Sequence, residues 1–290
     1  KLGIGFVNKQ DVLLADTALA MQVPYASEDA PIPSYTIATA QEAGWIWDIG
    51  LTTRRGTGYV YSSKHTSDER AIEVLRNYAA QSLGEAAREL DCRKIPMNVG
   101  YREKFWHRNC VAVGLAQGFV EPLEATGLLV YDASARMLAA QFPASRGAIP
   151  EVAARFNDHL RFVWDRVIDF IKLHYYLSKR EDSAFWRDNR LESSAPESLL
   201  NNLRLWAYQP PSEYDFPNRL EIFNLDNYLY VLYGMEFETR MDALSARYPE
   251  RDQAQALFQQ LQTSAREAVE HLLPNRELIR RIKQYGLQKV

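Results

Sequence analysis

Hydrophobic residues recur in this chain with two different periods, and the changeover between them limits the fold more than any other feature. Over residues 1–63 they come in short runs that alternate with polar ones, as in Ser34-Tyr35-Thr36-Ile37-Ala38-Thr39-Ala40 and Trp45-Ile46-Trp47-Asp48-Ile49. A period of two places successive side chains on opposite faces of a strand. After Gly127 the period lengthens. Val152, Phe156, Leu160, Val163, Val167 and Phe170 step by three or four and line one face of a long helix. Strands first and helices second predict an α+β fold.

Finer signals fill in the order. Val12-Leu13-Leu14 and Ala18-Leu19-Ala20-Met21-Gln22-Val23-Pro24 are apolar runs of strand length. Arg54-Arg55-Gly56-Thr57-Gly58 reads as a turn, with Tyr59-Val60-Tyr61-Ser62 returning as the second arm of a hairpin. Thr66-Ser67-Asp68-Glu69 has the pattern of a capping box, and Ile72, Leu75 and Ala79 follow on one helical face. Ile95 to Val99 is strand-like. Ser183 to Asp188 is read as the end of a loop, and Pro196-Glu197-Ser198 as a helix start carrying Leu199, Leu203 and Trp206. Gln209 to Pro217 is Pro-rich and loop-like; Tyr228 to Met235 is aromatic and apolar. Leu257, Leu261, Ala265, Val269 and Leu272 form a further stripe that stops at Pro274, and a short helix is expected from Arg276 to Tyr285.

Composition removes several classes of function. A formal net charge of −3, with no basic block interleaved with aromatics, argues against nucleic acid as a partner. Apolar runs fall short of the ~18 residues that a membrane span needs, so no membrane association is expected. The two cysteines, Cys92 and Cys110, suit a cytoplasmic protein better than a disulfide framework. The chain opens at Lys1 without Met, inside a stretch (Leu2 to Val7) that reads as ordered, and so looks like part of something longer.

One segment concentrates the chemistry: Gly118-Phe119-Val120-Glu121-Pro122-Leu123-Glu124-Ala125-Thr126-Gly127. The apolar run Cys110 to Ala116 before it reads as a buried strand, and Leu128, Leu129, Tyr131, Met137 and Leu138 behind it as a helix. A helix start turns unpaired N–H groups outward and favours an anion. An ordinary strand-to-helix connection, with acids at the positive end of a helix, also accounts for it. Trp45 and Trp47 share one face of their strand, either as a core pair or as the wall of a site for a flat ring. The five histidines show no metal-ligand spacing, so no metal is expected. His174, at the end of the long stripe, reads as a core or interfacial residue. Neither a Gly-x-Ser-x-Gly nor a Gly-x-Gly-x-x-Gly motif occurs.

Taken together, Gly44-Trp45-Ile46-Trp47-Asp48-Ile49 and Phe119-Val120-Glu121-Pro122-Leu123-Glu124-Ala125-Thr126-Gly127 resemble the Trp-x-Trp-x-Ile-Pro and Glu-Pro-Leu-Glu-Ser-Thr-Gly signatures of the flavin-dependent tryptophan halogenases. Arg55 to Val60, Phe185-Trp186-Arg187-Asp188, and Asn227-Tyr228 running into Val231 to Met235 are similar to that family too. The resemblance implies the later part of a flavin-monooxygenase-like FAD module, with mixed or antiparallel sheet, followed by a mainly helical substrate module. The expected boundaries are 1–145 for the partial flavin module with its β-rich, substrate-side sheet, and 146–290 for the substrate module. The family's opening dinucleotide fingerprint and its early catalytic lysine have no counterpart in the chain.

By resemblance, reduced FAD (FADH2), supplied by a separate flavin reductase, uses dioxygen to oxidise chloride or bromide to hypohalous acid. The acid travels through an internal tunnel to the lysine, and halogen is delivered to an indole-like ring. Glu124 matches the catalytic glutamate, expected to polarise the halogenating species and to take the ring proton. Thr126 and Gly127 match the halide-binding pair. Leu128 and Trp45 are implied to face the flavin. Trp47, Phe119, Phe223 and Asn227 are implied to line the passage and the small aromatic substrate's pocket. Gly50 stands in place of the signature proline, Ala125 in place of serine, and Phe223 in place of a stacking tryptophan. A flavin-dependent aromatic monooxygenase and a non-catalytic aromatic-binding fragment remain alternatives, and a homodimer stays open beside a monomer.

Overall fold

The computed structural model describes residues 2–241, 246 and 248–287. Its main sheet is antiparallel. It comprises β2 (Thr17–Pro24), β3 (Ile37–Gln41), β4 (Gly44–Gly50), β5 (Arg54–Tyr61) and β6 (Cys92–Pro96), in the order β3-β4-β5-β2-β6. Alternation along the strands separates two cores. Leu19, Met21, Ile46, Tyr59 and Tyr61 face α1 (Asp68–Leu83), which answers with Ala71, Leu75 and Ala79. Ala18, Trp45, Trp47 and Val60 face the other way, towards the helical part.

A smaller antiparallel sheet has the order β1-β7-β10, from β1 (Phe6–Asn8), β7 (Gly100–Arg102) and β10 (Gly118–Phe119). β8 (Trp106–His107) pairs with β9 (Cys110–Val111). The helices are α2 (Gly127–Ala140), α3 (Ile149–Tyr176), α4 (Ala184–Asn189), α5 (Glu197–Trp206), α6 (Leu225–Gly234), α7 (Arg251–His271) and α8 (Asn275–Tyr285); α2, α3, α5, α7 and α8 follow the expected pattern, and α4 and α6 do not come from it. No helix among the described residues is long and apolar enough to cross a membrane.

α3 is the axis of the second half. Its 28 residues carry the predicted stripe, with Phe156, Leu160, Val163, Val167 and Phe170 all buried. Towards its C-terminal end burial extends around the whole circumference, so that Asp169 and Lys172 are enclosed as well. The core around it includes Leu13, Trp45, Val60, Val120 and Val130 as well as Trp164, Leu203 and Tyr228. One apolar core thus runs across the 145/146 position. α8 returns to the first part of the chain, where Asn275 Nδ2 donates to Pro33 O at 3.3 Å and the Arg276 guanidinium lies 4.8 Å from the Tyr25 ring centre.

Several local expectations need correction. The run Cys110 to Ala116 is not one buried strand. β9 stops at Val111, Gly114 takes φ +63°, and Gly114–Ala116 is a 3-10 turn that exposes Leu115. The left-handed glycine breaks the run that hydrophobicity alone suggested. Arg54 to Gly58 is not the hairpin turn. It lies inside β5, with Arg55 to Gly58 opposite Gly50 to Trp47, and the connection falls at residues 51–53. The glycine at 58 serves packing instead: a Cβ there would meet Trp47 Cζ2 at 2.1 Å. Ser183 to Asp188 is not a loop end, because Ser183 caps α4 through the Trp186 N–H. In the capping pattern ahead of α1, Ser67 rather than Thr66 is the cap, accepting from Arg70 N.

Candidate active site

The segment singled out in the sequence leaves β10 and enters α2 through a tight turn. Ala125 N–H donates to Pro122 O at 3.0 Å, and Ala125 itself sits at φ +51°. A residue with a Cβ in the left-handed region is uncommon and costs about 1–2 kcal/mol. The strained residue separates Glu124 from Thr126 and redirects the chain into α2. There Val130 N–H closes on Thr126 O at 3.0 Å. The N–H groups of Gly127, Leu128 and Leu129 precede that first helical closure, and Thr126 supplies no side-chain cap. They form an open, positively polarised helix start.

Consecutive residues of α3 dock the two acids of this turn. Tyr175 donates its hydroxyl to Glu121 Oε2 at 2.5 Å. His174 Nε2 lies 2.8 Å from Glu124 Oε1, while its Nδ1 lies 2.9 Å from Phe170 O. Glu121 is buried to 1% exposure. Its Oε2 also accepts from Trp45 Nε1 at 2.8 Å, and its Oε1 has no hydrogen-bond partner among the described residues. Glu124 keeps 30% of its side-chain surface. The inner acid is therefore fastened on two sides, and the outer acid is fastened on one and open on the other.

Burial governs ionisation in the inner layer. It pushes the Glu121 carboxyl up to about 7, against hydrogen bonds from Tyr175 and Trp45 and the charges of His174 and Lys172. It also pushes Lys172 down to about 7, against the charge of Glu121. Lys172 is fully enclosed, and its Nζ donates to Asn189 Oδ1 at 3.0 Å. Tyr175 is raised well above the ordinary phenol range, by burial first and by Glu121 second.

The paired tryptophans are held in register by β4. Their rings are 6.4 Å apart, edge to face at 62°. Trp45 is buried and tied to Glu121, whereas Trp47 is half-buried and lies over Gly58. At Gly50, where a proline stands in the resembling signature, a Cβ would already be 3.0 Å from Pro33 Cδ. Pro33 of another loop occupies that ground.

The remaining sequence candidates fall in different places. Thr126 is buried and Gly127 opens α2 beside Glu124. Leu128 projects from the helix start with 81% exposure. Phe119 lines a separate cavity of about 610 Å³ with Phe6, Met97 and Leu115, and Glu124 is not part of that lining. Phe223 is buried face to face on Phe170, with ring centres 3.8 Å apart, and Tyr228 meets Phe170 from another side. It reaches Glu124 only indirectly, through Phe170 and the edge-on ring of His174. Asn227 is exposed, and its Oδ1 accepts from Asn224 N in the capping box of α6. Among the described residues no cluster of His, Cys, Asp or Glu could hold a metal ion.

Sequence reasoning missed His174, Tyr175 and Lys172. For Lys172 alone a signal was present. Asp169 and Lys172 interrupt Val167 to Leu173, an otherwise apolar stretch on every side of the helix. Polar residues enclosed in that way need partners, and these are Arg166 and Ser198 for Asp169 and Asn189 for Lys172.

The chain has recognisable relatives. The family model for tryptophan halogenase matches residues 1–250. A tryptophan 6-halogenase from Streptomyces toxytricini is 42% identical over 217 residues, which is 74% of this chain and 40% of that protein. The crystal structure of a tryptophan halogenase from Shewanella frigidimarina superposes with a TM-score of 0.89 at 43% identity, covering 99% of this chain and 54% of its own. A flavin-dependent halogenase from Brevundimonas matches with a TM-score of 0.81 at 33% identity, covering 96% and 54%. The chain thus spans about half the length of the proteins it matches.

Proposed function

The chain belongs to the tryptophan halogenase family, and we propose that it forms the substrate-facing part of an FADH2- and dioxygen-dependent enzyme that halogenates an indole-like ring. The observation that carries this reading is a half-exposed carboxylate, Glu124, beside the open N–H groups of the α2 start.

Each residue then has a task. The N–H groups at Thr126 and Gly127 hold chloride or bromide. Glu124 polarises the halogenating species and takes the proton from the ring carbon. Trp45 and Trp47 separate the ring from the cofactor. Phe223, stacked on Phe170, supports the substrate wall from behind. An indole ring suits the aromatic lining, and tryptophan is the substrate named for the relatives.

The fit to a flavin rests on the helix start. An exposed leucine, Leu128, stands beside the open amides, which suits the edge of a planar, largely apolar ring next to an anion. When bound, reduced FAD supplies, with dioxygen, the oxidising power that turns halide into hypohalous acid. A separate flavin reductase provides the reduced cofactor.

The test is a halogenation assay on the full-length protein with FAD, a flavin reductase, dioxygen and bromide. Bromide-dependent mass gain on indole or tryptophan is the expected result. A second reading, aromatic hydroxylation, is favoured by Ala125 and Gly50 standing where the signature has serine and proline. It predicts oxygen insertion that does not depend on halide. No product across an aromatic panel, with FAD binding verified, would remove both.

A further inference from the structure

The contacts around His174 limit where its protons can lie. Nδ1 is 2.9 Å from the carbonyl oxygen of Phe170, an acceptor with no proton to give, so this contact is a hydrogen bond only when Nδ1 carries the hydrogen. A neutral imidazole would then present a bare lone pair at Nε2. That lone pair would face Glu124 Oε1 across 2.8 Å. Two acceptors at hydrogen-bond distance repel, so the contact requires one proton between them. An imidazolium paired with a carboxylate meets this requirement and leaves the second Glu124 oxygen free.

The surroundings keep the pair intact and open on one side. The imidazole packs perpendicular to the Phe170 ring, with ring centres 5.1 Å apart. Glu121, the carboxylate that also feels the charge of His174, is already committed to Tyr175 and Trp45. Lys172 on the same helix is committed to Asn189. The side chains of His174 and Glu124 retain 21% and 30% of their surface, so a proton has a route to solvent.

Resting on the halogenation reading, we propose that His174 is the positioning residue and proton relay of Glu124. In the resting site the proton sits on His174 Nε2 and Glu124 is a carboxylate. When the halogenated ring carbon loses its hydrogen, the C–H electron pair returns to the aromatic system. The proton passes to the free oxygen of Glu124. The pair then carries one proton more than at rest and releases it to water on its exposed side, which restores the resting charge. No group is oxidised or reduced in this step.

Two measurements on the full-length protein test the relay. In the first, 15N spectra of histidine-labelled protein at neutral pH report both ring nitrogens. The expected result is a protonated Nε2 in the wild type. In Glu124→Gln, whose amide can donate, Nε2 becomes bare. A bare Nε2 in the wild type overturns the proposal, and this readout needs no halogenation. In the second, indole deuterated at the reacting carbon is turned over by His174→Gln, which can still donate to Glu124 but cannot relay. We expect kcat to fall about 10- to 100-fold, KM to hold, and a primary isotope effect to appear that the wild type lacks. His174→Phe serves as a second variant. Unchanged kinetics, or a fall in kcat without the isotope effect, overturns the relay. If the wild type makes no halogenated product, the function reading fails, and the nitrogen spectra alone decide the proton's place.

Discussion

Trp45 reaches across 76 positions of sequence to place its indole N–H on Glu121 Oε2 at 2.8 Å. The same oxygen accepts the hydroxyl of Tyr175. The aromatic wall, the acidic turn and α3 therefore meet at one atom. A shared acceptor couples its donors, since losing one strengthens the other's hold. Removing a hydrogen bond to a charged or buried acceptor costs about 1.5–3 kcal/mol. Trp45→Phe and Tyr175→Phe should each destabilise by that order in urea unfolding. The double variant should depart from the sum by at least ~0.5 kcal/mol. Strict additivity would show that the two donors do not share Oε2.

The pair Glu121 and Lys172 should leave a trough in the pH–stability curve. Burial raises Glu121 from 4.5 to about 7, so the folded state holds its proton longer than the unfolded chain does. This contribution is complete below 4.5 and is lost as pH rises through 7. Lys172 is lowered from 10.5 to about 7, so the unfolded chain holds the extra proton above 7. Stability from this group therefore grows as pH rises towards 10.5. The two slopes meet in a minimum near pH 7. Chemical denaturation of the wild type against Glu121→Gln and Lys172→Met, from pH 5 to 9, measures the difference. We expect each variant to flatten one side, by on the order of 1–3 kcal/mol. A wild-type curve parallel to both variants would refute the trough.

Glu124→Gln should separate chemistry from fold. The side chain is half-exposed, and the amide still meets His174, so the thermal midpoint should stay close to that of the wild type. Halogenation should fall by about a hundredfold or more, as expected for a lost general base. FAD affinity, read by fluorescence, should be unchanged. Equal loss of flavin binding would make Glu124 a structural residue.

Gly58→Ala tests the seating of Trp47. The new Cβ would lie 2.1 Å from Trp47 Cζ2 and 2.4 Å from Leu19 O, and the backbone oxygen cannot step aside. Overpacking of this kind costs about 1–3 kcal/mol. The indole must lift from β5, and tryptophan emission should shift. A variant with wild-type emission and stability would mean that Trp47 has another low-energy seat.

Period and turn chemistry made much of the architecture legible. The stripe from Val152 to Phe170 became the buried face of α3, and the alternation at Trp45-Ile46-Trp47 placed both indoles on one side of β4. Hydropathy misread Cys110 to Ala116, because a single left-handed glycine outweighs an apolar run. The glycines misled in the opposite way at Arg54 to Gly58. A glycine that looked like a bend is straight and makes room for an indole from the next strand. Within the candidate site, Glu124 was singled out from its motif, but its contact with His174 was not. Their contact joins positions on two separate helical approaches, and nothing local in the sequence records it.

His174 and Tyr175 are neighbours on α3, whereas the acids they hold are Glu124 and Glu121 on the turn. The dock and the docked piece thus carry two different spacings that must mesh, like a key cut to a two-pin lock. A lengthened or shortened turn could keep one acid seated but not both. Transplanting the motif into a foreign scaffold therefore calls for moving the end of α3 along with it, as a single cassette.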